Sequence, residues 1–207
     1  QGQYATMNEG LRAAQGELIC FLSVDDLLVP GAITRVVDLY LLHPTVDVIY
    51  GKVLFIDRHG GPYPMSFRRM PLWSYPFFTH ISHSSLFVRR SVLISRSLLF
   101  CTDYQYVADY EWIIRLIDNQ LNFYFVNESL SKIRKHDEQL TARFYTVMKT
   151  ERDRVLQDRG VSRSVVVLFA FLDLILSGFS TLFALRKTGF GGLRLILQRW
   201  YHKYWHR

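Results

Sequence analysis

The amino-acid sequence predicts an α/β protein with a mixed, mainly parallel sheet flanked by helices, followed by a hydrophobic helical tail. Strand-like and helix-like segments alternate along residues 1–141, which is typical of sheets whose strands are joined by helices. A continuous apolar run at 18–22 has the length and composition of a central strand covered on both faces. The last third of the chain combines long apolar stretches with basic residues.

Each predicted element follows from the spacing of apolar residues and from the residues that end it. We expect helices at 4–15, 32–42 and about 107–118, and strands at 18–22, 46–50, 52–56, 85–88 and 122–126. Pro30 and Gly31 precede the second helix, and His43 with Pro44 ends it. Residues 63–79, rich in proline and aromatics, are expected to form an irregular loop that can cover a site.

Composition and charge narrow the class of partner. The 207 residues are 49% hydrophobic and 21% charged, which suits a packed core and excludes a disordered chain. Residues 1–141 hold 13 basic and 14 acidic residues, whereas residues 142–207 hold 12 and 4. The formal charge of +7 therefore belongs to the apolar tail, which favours a phospholipid surface over nucleic acid. Cys20 and Cys101 lack the spacing of a metal site or a disulfide framework.

The tail is predicted to attach the protein to a membrane. Residues 165–185 are apolar almost throughout, and their length matches a hydrocarbon layer of roughly 30 Å. Asp173 near the centre costs roughly 2.5–3.5 kcal/mol on insertion, and basic residues on both sides leave the orientation open. Residues 193–207 mix aromatics with bases, as interfacial helices do. A spanning helix, an in-plane helix and a helix buried against the rest of the protein remain alternatives.

Asp25 and Asp26 come shortly after the apolar run at 18–22. Ligands of α/β sheets bind beyond the carboxyl ends of strands, which is where this pair is expected. Two adjacent carboxylates resist joint ionisation unless a cation or hydrogen-bond donors compensate them. Mg²⁺ and Mn²⁺ suit such a pair, because a small divalent ion takes one or two protein carboxylates and completes its shell with water and phosphates. A solvated turn that caps the next helix is the structural alternative.

Further polar residues are candidates for chemistry. Asp109 starts the helix at 107–118 and is a candidate general base, although on spacing alone stabilisation of the helix dipole is the stronger explanation. Arg134 and His136 follow the last strand and can donate to a diphosphate leaving group, or form a solvated basic loop. His83, which lies among serines in apolar surroundings, is predicted to be structural.

An ordered series of motifs runs through residues 1–141. It consists of GQYATMNEG at 2–10, AQGE at 14–17, FLSVDD at 21–26, PG at 30–31, HP at 43–44, VIYG at 48–51, RRS at 89–91, ADYE at 108–111 and RKH at 134–136. This series closely resembles the middle of glycosyltransferase family 2 domains.

The resemblance implies a GT-A-like, Rossmann-like fold, a nucleotide-sugar donor and a divalent cation, Mg²⁺ or Mn²⁺, held by Asp25 and Asp26. It also implies that Asp109 is the base of an inverting single displacement. The residues expected to bind the donor and its cation are Asn8, Gly10, Asp25, Arg134 and His136.

Two departures from the family pattern affect the prediction. The family's first strands do not appear, so the chain resembles an amino-terminally truncated transferase; if the natural protein begins at Gln1, we expect it not to bind its donor productively. The segment QLTARF at 139–144 lacks the spacing and the tryptophan of the Gln-x-x-Arg-Trp motif found in processive synthases, which favours a single-addition enzyme.

The predicted organisation is the C-terminal part of a family 2 catalytic domain at 1–141, a basic linker helix at 142–163 and an apolar, basic membrane-associated tail at 164–207. We expect a metal-dependent hexosyltransferase at the cytoplasmic face of the membrane that transfers a sugar to a glycan or lipid-linked acceptor in polysaccharide biosynthesis. The alternatives are an inactive truncated transferase serving as a membrane-tethered interaction module and a basic nucleic-acid binder. Confinement of the charge to the apolar tail disfavours the last of these.

Overall fold

The computed structural model of the chain describes residues 2–169, apart from 64, 66, 68 and 137, together with residues 171, 172 and 175. The side chains of residues 141 and 142 are also outside the description. The chain divides into two compact units, residues 1–153 and residues 154–207. The first unit holds every predicted site residue.

Helices and short strands alternate along the described chain. The helices are α1 (Gln3–Ala13), α2 (Ala32–Leu42), α3 (Arg90–Ser95), α4 (Ala108–Asp118), α5 (Leu140–Arg143) and α6 (Tyr145–Asp158). The strands are β1 (Leu18–Ile19), β2 (Leu27–Leu28), β3 (Val48–Ile56), β4 (Leu86–Arg89) and β5 (Phe123–Arg134). Short 3₁₀-helices lie at Leu72–Ser74 and His83–Ser85.

The predicted helices at 4–15, 32–42 and 107–118 are confirmed as α1, α2 and α4. The strands differ more from the prediction. The two strands expected at 46–50 and 52–56 form one continuous strand, β3, and β5 continues well past the expected end at 126. Only the first two residues of the apolar run at 18–22 pair as a strand.

The prediction of an α/β fold is confirmed, but that of a mainly parallel sheet is not. The described strands are ordered β1-β4-β3-β5-β2, and β3 with β5 is the parallel pair among them. The pairs β1 with β4, β3 with β4 and β2 with β5 are antiparallel. The physical reason lies in the loop at 57–85, whose described residues form turns and 3₁₀-helices, so that β4 returns antiparallel to β3.

Irregular pairing in the middle of β3 and β5 depends on Gly51. The register shifts between Gly51 and Lys52 and again between Lys52 and Val53, so that β5 accommodates extra residues there. A Cβ at Gly51 would lie 2.5 Å from Cγ of Leu130 and 2.9 Å from the carbonyl oxygen of Glu128. The absence of a side chain therefore lets β5 approach β3 closely, and the second half of β5 reaches β2.

The core beside the site forms where α2 packs on the sheet. Buried apolar residues of α2 meet those of the strands in one cluster, whose members are Ala32, Val36, Leu39, Val46, Ile49, Phe87, Val126 and Leu130. Burying an aliphatic side chain of this size stabilises a fold by about 1.5–3 kcal/mol. The cluster fixes α2 on the sheet and thereby fixes the turn that precedes it.

The second unit is described only in its first part. Residues 163–169, 171, 172 and 175 are helical. Among the described residues, none of the helices has the length and apolar character needed to cross a membrane. Most of the predicted tail at 164–207, including its expected interfacial segment at 193–207, lies outside the described residues, so its membrane role stays a prediction.

Candidate active site

The acidic turn, Ser23 to Asp26, lies between β1 and β2. The backbone amide of Asp26 donates to the carbonyl oxygen of Ser23 at 3.0 Å, which closes the turn tightly. The two carboxylates have different surroundings as a result. The side chain of Asp25 is 55% exposed, whereas Asp26 is buried, with 7% of its surface accessible.

Asp26 ties the turn to two other segments. Its Oδ2 accepts a hydrogen bond from the hydroxyl of Ser84 at 2.6 Å, and its Oδ1 accepts from the backbone amide of Arg134 at 3.3 Å. A buried carboxylate is costly unless donors of this kind compensate it. Asp26 thus holds the acidic turn against the 3₁₀-helix His83–Ser85 and the end of β5.

Asp25 contacts a different residue from those that hold Asp26. Its Oδ2 lies 3.5 Å from Nε2 of His136, just beyond the end of β5. The side chain of His136 is 14% exposed, so this pair meets solvent mainly through the carboxylate of Asp25.

His83 lies between the acidic turn and the start of α4. Its Nδ1 is 3.0 Å from Oδ2 of Asp109, and its Nε2 is 3.3 Å from the hydroxyl oxygen of Ser23. The side chains of His83 and Asp109 are 23% and 29% exposed, so the pair is partly accessible from outside. The sequence-based prediction of a structural histidine missed this contact with the candidate base.

Asp109 is also held from the side of α1. The hydroxyl of Tyr4 lies 3.0 Å from both Oδ1 of Asp109 and the carbonyl oxygen of Tyr106. Glu111, two residues further along α4, instead accepts a hydrogen bond from Arg115 at 2.6 Å. Of these two acidic residues of α4, Asp109 contacts His83, whereas Glu111 is paired with Arg115.

Glu151 of α6 anchors the segment that leads into α4. Its carboxylate accepts backbone hydrogen bonds from Gln105 and Tyr106 at 2.8 Å and from Val107 at 3.2 Å. These amides come directly before the first turn of α4, where an anion is favoured by the helix dipole. Glu151 thus fixes the backbone just before Asp109.

The contacts of His83 and Asp109 shift the pKa values of both groups. Burial opposes ionisation of Asp109, but the hydrogen bonds and charge of His83, with the hydroxyl of Tyr4, outweigh it and lower the carboxyl pKa. Burial by itself lowers the pKa of His83, because it disfavours the charged imidazolium. The hydrogen bond and charge of Asp109, together with the charge of Asp26, outweigh burial and raise that pKa. The pair therefore favours an imidazolium beside a carboxylate over a wider pH range than isolated groups would.

The side chains at the end of β5 point to different partners. The guanidinium of Arg134 donates to the carbonyl oxygens of Asp57 and Arg58 at 3.2 and 3.0 Å, so it braces the turn after β3. Lys135 is half-buried, and its ammonium lies 5.5 Å from the ring centre of Phe55. Burial lowers the pKa of Lys135, while the charge of Asp26 acts in the opposite direction.

The predicted donor-binding residues of α1 differ in accessibility. Asn8 is only 5% exposed, and its side-chain amide exchanges two hydrogen bonds with the backbone of Phe100, at 2.8 and 2.9 Å. It joins α1 to the segment before α4. Gly10 is exposed, and a Cβ there would meet nothing within 4 Å. The structure therefore gives Asn8 a bracing role and leaves open space at Gly10.

The residues present fit a divalent cation only in part. Among the described residues, no group of three or more histidine, cysteine or acidic side chains is arranged to hold a metal ion. Asp25 with His136 offers one carboxylate oxygen and one imidazole nitrogen on an open face. That donor set suits an ion that takes its remaining ligands from water and substrate phosphates. Asp26 is committed to Ser84 and Arg134.

A comparison with protein-family models decides the classification. The model described as Glycosyl transferase family 2 matches residues 1–100. Residues 1–100 belong to a glycosyltransferase family 2 domain. The matched part of the family 2 domain contains the acidic turn and His83, while Asp109 and His136 follow it. Among curated proteins, none matches the sequence.

Solved structures support the fold of the family 2 domain beyond residue 100. The chain is similar to S. aureus TarS 1–349 in complex with UDP-GlcNAc, with 17% identity, a TM-score of 0.55 and coverage of 75% of this chain and 51% of that one. The complex of S. aureus TarS 1–349 with UDP has 17% identity and a TM-score of 0.53, with coverage of 75% of this chain and 49% of that one. A further structure, of S. aureus TarS, has 17% identity and a TM-score of 0.53, with coverage of 75% of this chain and 30% of that one. The chain thus spans between 30% and 51% of these structures, and the likeness shows a GT-A-like fold.

Several functional candidates of the family 2 domain were missed by sequence reasoning. His83 and Lys135 lie in polar segments whose sequence alone does not assign them a role. Tyr4 stands within the first motif of the series, although its spacing from Asp109 along the chain gives no sign of contact. Glu151 has no signal in the sequence, because only the packing of α6 brings it to the start of α4.

Proposed function

We propose that this family 2 domain is part of a glycosyltransferase that moves a sugar from a nucleotide-sugar donor to an acceptor hydroxyl. We further propose that the transfer is a single addition with inversion, hexosyl in type and dependent on Mg²⁺ or Mn²⁺. The observation that carries the proposal is the convergence of the acidic turn, His83 and Asp109 in one hydrogen-bonded network. Membership of the family supports a nucleotide-sugar donor.

The donor's diphosphate is proposed to lie beside the acidic turn. Asp25 and His136 would hold the cation, which when bound neutralises negative charge on the diphosphate. Lys135, a partly dehydrated ammonium near Asp26, adds positive charge to the same region. Asp26 keeps the turn in place through Ser84 and Arg134, so its contribution to cation binding is to fix the position of Asp25.

Asp109 is proposed as the carboxylate on which base catalysis depends. It lies at the start of a helix, is held by Tyr4 and His83, and is partly exposed. Removal of the acceptor proton lets the acceptor oxygen attack the anomeric carbon from the side opposite the leaving diphosphate, which inverts the configuration.

The acceptor is proposed to be a glycan or a lipid-linked glycan, and the location the cytoplasmic face of the membrane. The apolar, basic composition of residues 164–207 supports this proposal, because such segments bind anionic lipid surfaces. An enzyme attached there would meet lipid-linked acceptors directly.

A donor screen with and without Mn²⁺ tests the proposed function. Transfer and donor hydrolysis should be followed for the chain, for Asp109→Asn and Asp25→Asn, and for the exposed control Asp38→Asn. We expect Asp109→Asn to lower kcat by about 10²–10⁴-fold, Asp25→Asn to weaken Mn²⁺ activation, and the control to retain activity. Equal transfer by Asp109→Asn and the unchanged chain would refute the site. A chain inactive with every donor would favour the interaction module.

A further inference from the structure

A groove of about 410 Å³ lies beside the first part of β3. Its lining consists of one residue of β3 and four of the loop that follows, namely Tyr50, Arg69, Met70, Pro71 and Leu72. The last residue of β3, Ile56, pairs with Arg134, whose amide holds the acidic turn through Asp26. Tyr50 lies roughly 20 Å before Ile56 along the strand, so the groove is separate from the acidic turn.

The polar groups of the groove come from Arg69 and Tyr50. The guanidinium carbon of Arg69 lies 4.6 Å from the ring centre of Phe125. Burial raises the pKa of Tyr50, and the charge of Arg69 acts in the opposite direction. Arg69 is exposed, and none of the ion pairs among the described residues includes it. A guanidinium stacked on a ring keeps the N–H groups at its edge for an anion.

The segment 69–73 is apolar from Met70 to Trp73, and none of these four residues is fully buried. Pro71 has extended backbone angles, with φ −57° and ψ 143°, so successive side chains point to different sides. Met70 and Leu72 are half-buried along the groove, whereas Trp73 is 65% exposed. A continuous apolar run at the surface of a protein marks a place where a partner binds.

The charge of this region has a single sign. Residues 58–102 contain six arginines and no acidic residue. Asp57, just before them, is bonded within its own turn, where it accepts from the amides of His59 and Gly61 at 2.8 Å. A partner of the segment is therefore anionic, and it also has to cover an apolar run.

An anionic phospholipid surface meets both requirements. Its phosphates attract exposed arginines, and tryptophan is favoured at the level of the lipid headgroups. A soluble sugar or nucleotide suits the groove less well, because such ligands are held by several convergent polar groups. The groove offers one guanidinium and one phenol beside three apolar side chains.

We propose that the segment 69–73 docks on an anionic phospholipid surface, with a lipid phosphate beside Arg69 in the groove and Trp73 among the headgroups. The inference gives the first unit a membrane contact of its own, in addition to that proposed for the tail at 164–207. It rests on the proposed location at the membrane but does not use the acidic turn or Asp109. Its failure would therefore leave the proposed transfer reaction standing.

The segment is tied to the start of α4. The hydroxyl of Tyr110 donates to the carbonyl oxygen of Pro76 at 2.5 Å, and the ring centres of Tyr75 and Tyr110 are 5.7 Å apart. Tyr110 directly follows Asp109 in the chain. Docking of the segment would thus hold the candidate base close to the headgroups, where the hydroxyl of a lipid-linked acceptor is found.

Quenching of tryptophan emission by brominated phosphatidylglycerol vesicles tests the docking in the full chain. Bromine quenches an indole that enters the bilayer, so Trp73→Phe should remove a quenched part of the emission. Trp112→Phe is the matched control, because Trp112 is 1% exposed and its emission should not be quenched. Trp200 and Trp205 of the tail are present in both variants and cancel in the comparison. Quenched emission that is unchanged in Trp73→Phe, or a chain that does not bind these vesicles, would overturn the proposal.

Vesicle binding of charge variants tests the role of Arg69. We expect Arg69→Gln to weaken binding to phosphatidylglycerol vesicles about fivefold and to leave binding to phosphatidylcholine vesicles unchanged. Arg35→Gln, which removes a charge from an exposed ion pair on α2, is the control and should have a smaller effect. An equal loss in the two variants would mean that net charge alone matters and would refute the site. Displacement of the chain from vesicles by glycerol phosphate would also refute it, because the groove would then bind a soluble anion.

Discussion

The acidic turn and the start of α4 each bring a carboxylate into the same network, but they hold it in different ways. In the turn, Asp25 is exposed beside His136, and its neighbour Asp26 is buried and bonded. At the start of α4, Asp109 itself is fixed, by Tyr4 on one oxygen and His83 on the other. In the turn, Asp25 is therefore available for a ligand while Asp26 holds the backbone in place. At the start of α4, Asp109 alone carries the charge and is itself held in place.

The difference shows how each region is prepared for its ligand. An exposed carboxylate keeps free lone pairs for a cation and its waters, so it gains from not being fully bonded within the protein. A group that takes part in proton transfer gains from a fixed position, because a misplaced proton acceptor reacts slowly. The predictions that follow test this division, beginning with the largest expected effect.

The first prediction separates the two aspartates of the turn. Asp26→Asn should lower the free energy of unfolding by about 1–3 kcal/mol, because it removes the charge that accepts hydrogen bonds from Ser84 and Arg134. Asp25→Asn should change it by less than about 0.5 kcal/mol, because its side chain is largely in solvent. Urea denaturation of both variants measures the two values. An equal loss of unfolding free energy in the two variants would mean that Asp26 does not brace the turn more than Asp25 does.

The second prediction concerns the anchor before α4. Glu151→Gln should lower the free energy of unfolding by about 1–2 kcal/mol. The carboxylate has two acceptor oxygens, which accept hydrogen bonds from three backbone amides, whereas the neutral amide of glutamine has one acceptor oxygen. Glu128→Gln is a suitable control, since the ion pair of Glu128 with Arg35 is exposed at the surface. Thermal denaturation would show the difference. Identical melting of the two variants would contradict the anchoring role.

The third prediction is a pH window of stability from the pair His83 and Asp109. The raised pKa of His83 adds stability that is complete below its ordinary 6.5 and is lost as pH rises through the folded value. The lowered pKa of Asp109 adds stability that is complete above its ordinary 3.8 and is lost as pH falls through the folded value. Both contributions are present between these limits. Denaturation across pH should show a flatter profile for Asp109→Asn, and an unchanged profile would contradict the pairing.

Local signals allowed the helices and the acidic turn to be predicted from the sequence. Pro30 and Gly31 introduce α2, and apolar spacing defines α1 and α4, so these elements depend on nearby residues. The parallel sheet was predicted wrongly because strand direction depends on how the loop at 57–85 returns, which apolar periodicity does not encode.

Side-chain partners were less predictable than elements. The order of motifs predicted Asp25, Asp26 and Asp109 as site residues, but it gave no sign of their partners, and those of Asp26 and Asp109 come from distant parts of the chain. Arg134 was expected to bind a diphosphate, yet its guanidinium braces the turn after β3. A basic residue after a strand can point to either face, and only the final register of β5 decides which.

The irregular pairing at Gly51 determines which residues at the end of β5 lie beside the acidic turn. Side chains alternate between faces along an extended segment, so a slip of one residue exchanges neighbours. If the irregular part of β5 were lengthened by one residue, the ammonium of Lys135 would take the place of the imidazole of His136 beside Asp25. An insertion of one residue roughly 15 Å away along the chain would then turn a site suited to a cation into one that repels it. Insertions and deletions here are therefore expected to alter ligand preference before they alter the fold.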